Sequence, residues 1–94
     1  MYIILVYDIN LEENEGQKVL RRVFKTCKKY LVHIQNSVFE GDISEAAMLK
    51  LEKEIKRYIR KEMDSVIVFK SRNQKWLDKK FLGKMEDDKT ENFL

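Results

Sequence analysis

Met1-Tyr2-Ile3-Ile4-Leu5-Val6-Tyr7-Asp8-Ile9-Asn10 opens the chain, and the reading of this run decides the fold. Tyr2 to Asp8 is almost wholly apolar and β-prone, and one carboxylate closes it. A continuous apolar run bounded by polar residues predicts a strand buried on both faces. Asp8 then stands at the mouth of that strand, held by rigid backbone and partly desolvated. Such a position suits a metal ligand or an acid-base group. The plain alternative is that Asp8 only caps the turn that follows.

Outward from this strand, Asn10–Glu15 is polar and reads as a loop leading into a helix. Asn10 and Asn14 are candidate N-caps, with Glu13 and Gln17 three residues further on in capping-box spacing. The helix runs to about Tyr30, with Val19, Leu20, Val23, Phe24 and Cys27 on one face at helical spacing. Cys27 on that face reads as core rather than as a nucleophile. Val32 and Ile34 then alternate, and Val38, Phe39 and Ile43 resume in shifted phase. The polar Gln35-Asn36-Ser37 between them predicts a tight hairpin, with strands at about 31–35 and 37–43. Ser44 is the expected N-cap of a second helix, and Glu45 complements its dipole. Met48, Leu51, Ile55, Tyr58 and Ile59 form its apolar stripe, and its charged face is supported by pairs such as Glu52–Lys56. Ser65–Lys70 is the fourth strand.

The order βαββαβ predicts an α+β, ferredoxin-like fold: an antiparallel sheet with both helices on one face. The other face must be covered, because an apolar strand cannot face water without cost. A homodimer packed sheet to sheet answers this. Trp76-Leu77 and Phe81-Leu82 are apolar enough to add an edge strand to a partner. The expected organisation is a domain over residues 1–83, ending in an exchanged strand, and an acidic tail over 84–94.

Ninety-four residues predict one small domain, which often gains from oligomerisation. No run reaches the roughly 20 apolar residues of a membrane span. No basic region precedes the first strand, so it is not read as a signal peptide. The single cysteine allows no internal disulfide and fits a reducing cytoplasm. No Cys/His cluster is present to hold zinc.

The net charge is +3, but its distribution says more. Two lysines against four acids give residues 84–94 a net of −2, which leaves +5 on residues 1–83. A basic body favours an anionic partner such as nucleic acid. Lys18, Arg21, Arg22, Lys25, Lys28 and Lys29 form a stripe on the first helix, opposite its core face. A row of cations at helical pitch can track a phosphate backbone, and arginine makes bidentate phosphate contacts. The competing reading is a merely solvated face, although such faces commonly mix signs. Lys70, Arg72, Lys75, Lys79 and Lys80 form a second cluster. His33, the lone histidine, reads as a surface or packing residue. No glycine-rich phosphate loop exists, and Phe39 alone makes no stacking platform. One carboxylate is too few to hold Mg2+ tightly. A dimer with Asp8 near its two-fold axis would supply two.

Tyr7-Asp8-Ile9, the basic first helix and Gln35-Asn36-Ser37-Val38-Phe39-Glu40-Gly41-Asp42 together resemble the small core CRISPR-associated protein family of spacer acquisition. Members of that family carry the name CRISPR-associated endonuclease or endoribonuclease. The resemblance covers essentially the whole chain. Its paired signature is an aspartate ending the first strand and Gln-x-Ser-Val-Phe about 27 residues later.

The resemblance implies a ferredoxin-like homodimer in which each Asp8 contributes to a shared Mg2+ site. It implies a dimer that bridges CRISPR integrase subunits and holds DNA, with endonuclease activity on RNA or DNA in some members. The family's helix arginines match Arg22 and Arg21, and its signature matches Ser37, Val38 and Phe39. Lys18, Lys25, Lys70 and Arg72 complete the expected nucleic-acid contacts. Two departures weigh toward the scaffold role: His33 stands where many members have arginine, and the loop through Glu12–Glu15 is longer. The alternatives are a toxin-like ribonuclease of the same fold and a non-catalytic regulatory domain that binds a small molecule or protein.

Overall fold

The computed structural model describes residues 1–83, so the acidic tail expected at 84–94 lies outside the described residues. β1 spans Tyr2–Asp8, α1 Gly16–Tyr30, β2 Val32–Gln35, β3 Val38–Asp42, α2 Glu45–Tyr58 and β4 Ser65–Ser71. A single 3-10 turn, Gln74–Trp76, follows. The sheet order is β2-β3-β1-β4, and every neighbouring pair is antiparallel. This is the α+β, ferredoxin-like arrangement that the element order predicts.

β1 is apolar throughout because it is a central strand, flanked by β3 and β4. Its side chains alternate between the two faces. Ile3, Leu5 and Tyr7 are buried in the core, whereas Ile4 and Val6 are half-buried and Asp8 is exposed. The expected burial on both faces therefore holds fully only for the core face; on the other, Tyr2 is buried, Ile4 and Val6 are half-buried and Asp8 is exposed. On the open face, Ile67 lies opposite Val6 and Phe69 opposite Ile4. Those two side chains are 53% and 55% exposed. On the covered face α1 contributes Val19, Val23 and Cys27, and α2 contributes Met48, Leu51 and Ile55. Phe39 of β3 has no exposed surface, and truncating such a side chain costs about 3–5 kcal/mol.

Local signals explain most of the boundaries. Ser44 Oγ accepts the Ala47 N–H at 3.1 Å, as expected of the α2 cap. Asn36 takes a positive φ of 37° in the β2–β3 turn, a conformation that asparagine tolerates. The start of α1 differs from expectation. Neither Asn10 nor Asn14 caps it; the cap position is Glu15, in the left-handed region at φ 76° with no side-chain bond. Asn10 Oδ1 instead accepts the Glu12 N–H at 2.8 Å. The loop closes tightly on itself at Gly16, where an added Cβ would sit 2.4 Å from the Asn10 carbonyl oxygen.

After β4, the described residues form no fifth strand. An exchanged strand needs a second chain to pair with. In the single chain, Lys79–Phe81 instead share a groove with Ile4, Ile34 and Val38 of its own sheet. There Lys79 Nζ donates to the buried carboxylate of Glu40.

Candidate metal-ligand position and nucleic-acid interface

Asp8 is the last residue of β1 and pairs in register with Ser65 of β4. It shares the open face with Ile4 and Val6, so it lies at the rim of the apolar patch and is exposed, not partly desolvated as expected. The cause is its even position in the strand: Tyr7, one residue earlier, points into the core. Among the described residues no group of three or more His, Cys, Asp or Glu side chains is gathered to hold a metal ion. Among the described residues Asp8 thus stands as a hard-oxygen donor outside any such group. That chemistry fits a hydrated Mg2+, which keeps several waters and takes one or two carboxylates, once a second Asp8 is brought close.

The backbone that carries Asp8 is fastened by a group the sequence reading missed. Asp64, whose side chain has no exposed surface, precedes β4. Its Oδ1 accepts the Asn10 N–H at 2.9 Å and Arg60 Nη2 at 3.0 Å. Its Oδ2 accepts the Arg60 N–H at 2.7 Å and Arg60 Nε at 3.0 Å. Arg60 also donates to the carbonyl oxygens of Asn10 and Asn14. Burial pushes the Asp64 carboxyl up, but the Arg60 guanidinium and the two backbone N–H groups outweigh it and hold the carboxyl below its usual range. The i,i+4 spacing of Arg60 and Asp64 was a visible signal, hidden in the charge-rich run between α2 and β4.

The basic stripe is real but divided. Lys18, Arg21, Arg22, Lys25, Lys28 and Lys29 are all exposed. Lys29 donates to Glu54 of α2 at 2.5 Å, and Tyr30 Oη donates to the other Glu54 oxygen at 2.6 Å. The Arg22 guanidinium lies 5.4 Å from the Tyr58 ring centre. These two cations therefore face α2, which corrects the expectation of one stripe standing clear of the packed surfaces. Arg21 and Lys25 turn the other way, toward the β2–β3 turn at Asn36 and Ser37. Ser37 is half-buried there, and its carbonyl oxygen accepts the Tyr7 N–H at 3.2 Å.

Asp8, Arg21, Lys25 and Ser37 thus gather at one end of the sheet. Lys70 and Arg72, both exposed, sit at or just beyond the other end, since Lys70 pairs with Ile3. At about 3.3 Å per residue, those ends are roughly 20 Å apart. Phe39 of the signature is core. His33 packs as expected, with its ring 4.9 Å from Phe24 and 4.8 Å from Phe39 and its Nε2 2.8 Å from the Asn36 carbonyl oxygen.

An antiparallel βαββαβ sheet with an exposed aspartate closing β1 and a basic α1 defines a small ferredoxin-like α+β protein. The family model described as CRISPR associated protein Cas2 matches residues 1–79, and the chain belongs to that family. It is 52% identical to a CRISPR-associated endoribonuclease Cas2 of Fusobacterium nucleatum, over 100% of this chain and 87% of that protein. It is 44% identical to a second protein of that name from Moorella thermoacetica, over 98% of this chain and all of the other. Among solved structures, a Cas2 crystal structure superposes with a TM-score of 0.78 at 36% identity, covering 92% of this chain and 90% of that one. Streptococcus pyogenes Cas2 superposes with a TM-score of 0.74 at 32% identity, covering 88% and 100% respectively.

Proposed function

We propose that this CRISPR-associated chain works as a homodimer that binds nucleic acid within the spacer-acquisition complex and carries a magnesium-dependent phosphodiesterase activity. The observation that carries the reading is Asp8, an exposed carboxylate at the rim of an apolar sheet face on which Ile67 and Phe69 stand open. Exposed apolar patches rimmed by polar residues mark protein interfaces. A two-fold contact buries the same patch twice and presents each residue to the pair in duplicate.

In that dimer the two Asp8 side chains would hold one Mg2+, which when bound polarises a phosphoryl oxygen and orients water. The Arg60–Asp64 group keeps the exit of β1 in place. Lys18, Arg21 and Lys25 supply positive charge at the same end of the sheet and position a phosphate backbone. The name endoribonuclease borne by the relatives supports RNA as the first substrate to test. The family membership supports a role beside integrase subunits on DNA.

The test compares wild type with Asp8→Asn on RNA and DNA, with Mg2+ and with chelator, and measures co-purification with an integrase subunit and a duplex. Cleavage should need Mg2+ and be lost in the variant, while co-purification persists. Equal cleavage by both proteins would remove the activity from this chain. Failure to co-purify would remove the scaffold role.

A further inference from the structure

Between α1 and the β2–β3 turn lies an open cleft of about 450 Å³. Tyr7, Leu20 and Phe24 make its apolar wall, Arg21 and Lys25 stand at its rim, and Asn36 and Ser37 close it on the turn side. We propose that this cleft receives one unstacked base of a single-stranded nucleic acid, with the adjoining phosphate held by Arg21 and Lys25. The inference rests on the nucleic-acid reading above and adds to it a place where the base itself is contacted.

Three observations carry it. The volume falls within the roughly 300–1,000 Å³ of small-ligand pockets. The wall is nearly all apolar and includes the half-buried ring of Phe24. Apolar and aromatic side chains of this kind take up bases that have left a stack. The rim carries two exposed cations, and among the described residues neither Arg21 nor Lys25 forms an ion pair. An apolar slot beneath unneutralised positive charge complements a ligand that is flat at one end and anionic at the other. A duplex presents its phosphates but keeps its bases paired, so it would use the rim and leave the slot empty.

Asn36 and Ser37 bear on selectivity. Both residues line the turn side of the cleft, beside the place where the edge of an inserted base would lie. The cleft is on the helix-covered side of the sheet and Asp8 on the open side, both at the same end. A strand seated in the cleft would therefore have to round the sheet end to reach Asp8.

The test measures the affinity of two single-stranded oligomers of equal length and charge, one bearing bases and one abasic, in RNA and DNA forms. Wild type should bind the base-bearing oligomer about tenfold or more tightly than the abasic one, the size expected of one stacked base. Phe24→Leu keeps an apolar wall but removes the ring, and should erase most of that difference. Arg21→Ala with Lys25→Ala should weaken both oligomers alike, keeping the ratio. Circular dichroism identifies any variant that fails to fold, and the wild-type ratio stands independently of the variants. Equal wild-type affinity for the two oligomers would overturn the base site while leaving phosphate binding in place. No affinity for either would overturn both. A ratio seen with RNA but not DNA, or the reverse, would identify the strand the cleft accepts.

Discussion

Asp64 shows how one side chain can govern a site it does not enter. Its buried carboxylate receives four N–H bonds from Arg60 and Asn10 and so ties the exit of β1 to the start of β4. Asp64→Ala leaves the Arg60 guanidinium, 22% exposed, without its partner. Loss of the carboxylate removes four hydrogen bonds at once and should lower the midpoint of urea unfolding. The folded carboxyl is held below its ordinary value of 3.8. Its contribution is therefore complete above that value and disappears as pH falls through the lower folded one. Wild type should lose stability in this acid window, and Asp64→Asn should lose less of it. Identical acid profiles for the two proteins would show that other carboxylates dominate. Cys27 offers a second residue-scale check. Burial pushes its thiol up to about 12, so it should resist alkylation at pH 8 until the protein unfolds. Prompt labelling of folded protein would contradict a core cysteine.

At the scale of elements, α1 carries two surfaces that charge alone does not separate. Arg22 and Lys29 are engaged with α2, whereas Arg21 and Lys25 border the cleft. A salt titration of duplex binding separates their roles. Removing a cation that neutralises one phosphate should reduce the log-log slope by about 0.9. Arg21→Ala should reduce it, and Lys29→Ala should leave it nearly unchanged. Equal effects would mean that the Glu54 pair does not hold Lys29 back. The loop before α1 depends on Gly16, because an added Cβ meets backbone at 2.4 Å. Gly16→Ala should destabilise by about 1–3 kcal/mol in thermal or urea unfolding. A neutral outcome would mean that the loop can reopen without cost.

For the whole molecule, the proposed dimer depends on the open sheet face, where Ile67 and Phe69 are exposed. Ile67 and Phe69 contribute little to the core of a single chain, so charging one of them should spare the fold. Phe69→Lys should shift sedimentation from dimer to monomer while the far-UV spectrum is retained. A dimer of unchanged stability would move the interface elsewhere. Truncation before Trp76 tests the C-terminal segment separately. It removes Lys79 from Glu40 and any strand offered to a partner. Self-association should weaken, and a truncated chain that sediments as the same tight dimer would count against strand exchange.

Periodicity alone determined the element order, the inward faces of both helices and the hairpin turn. These follow from local rules: which positions recur at 3.6 or 2.0 residues, and which residues tolerate a turn. The pairing of Asp8 with a distant glutamine-serine-valine-phenylalanine run also lay in the linear text and pointed to the family. Tertiary structure decided what depends on distant segments meeting. Whether Asp8 faced core or solvent turned on the register of β1 between β3 and β4. Which cations of α1 stayed clear turned on where α2 packed. The cleft between Phe24 and Ser37, and the Arg60–Asp64 tie to Asn10, join residues from separate elements. Charge and hydropathy along a chain carry no record of such distances, because the contacts arise only when the sheet brings those elements together.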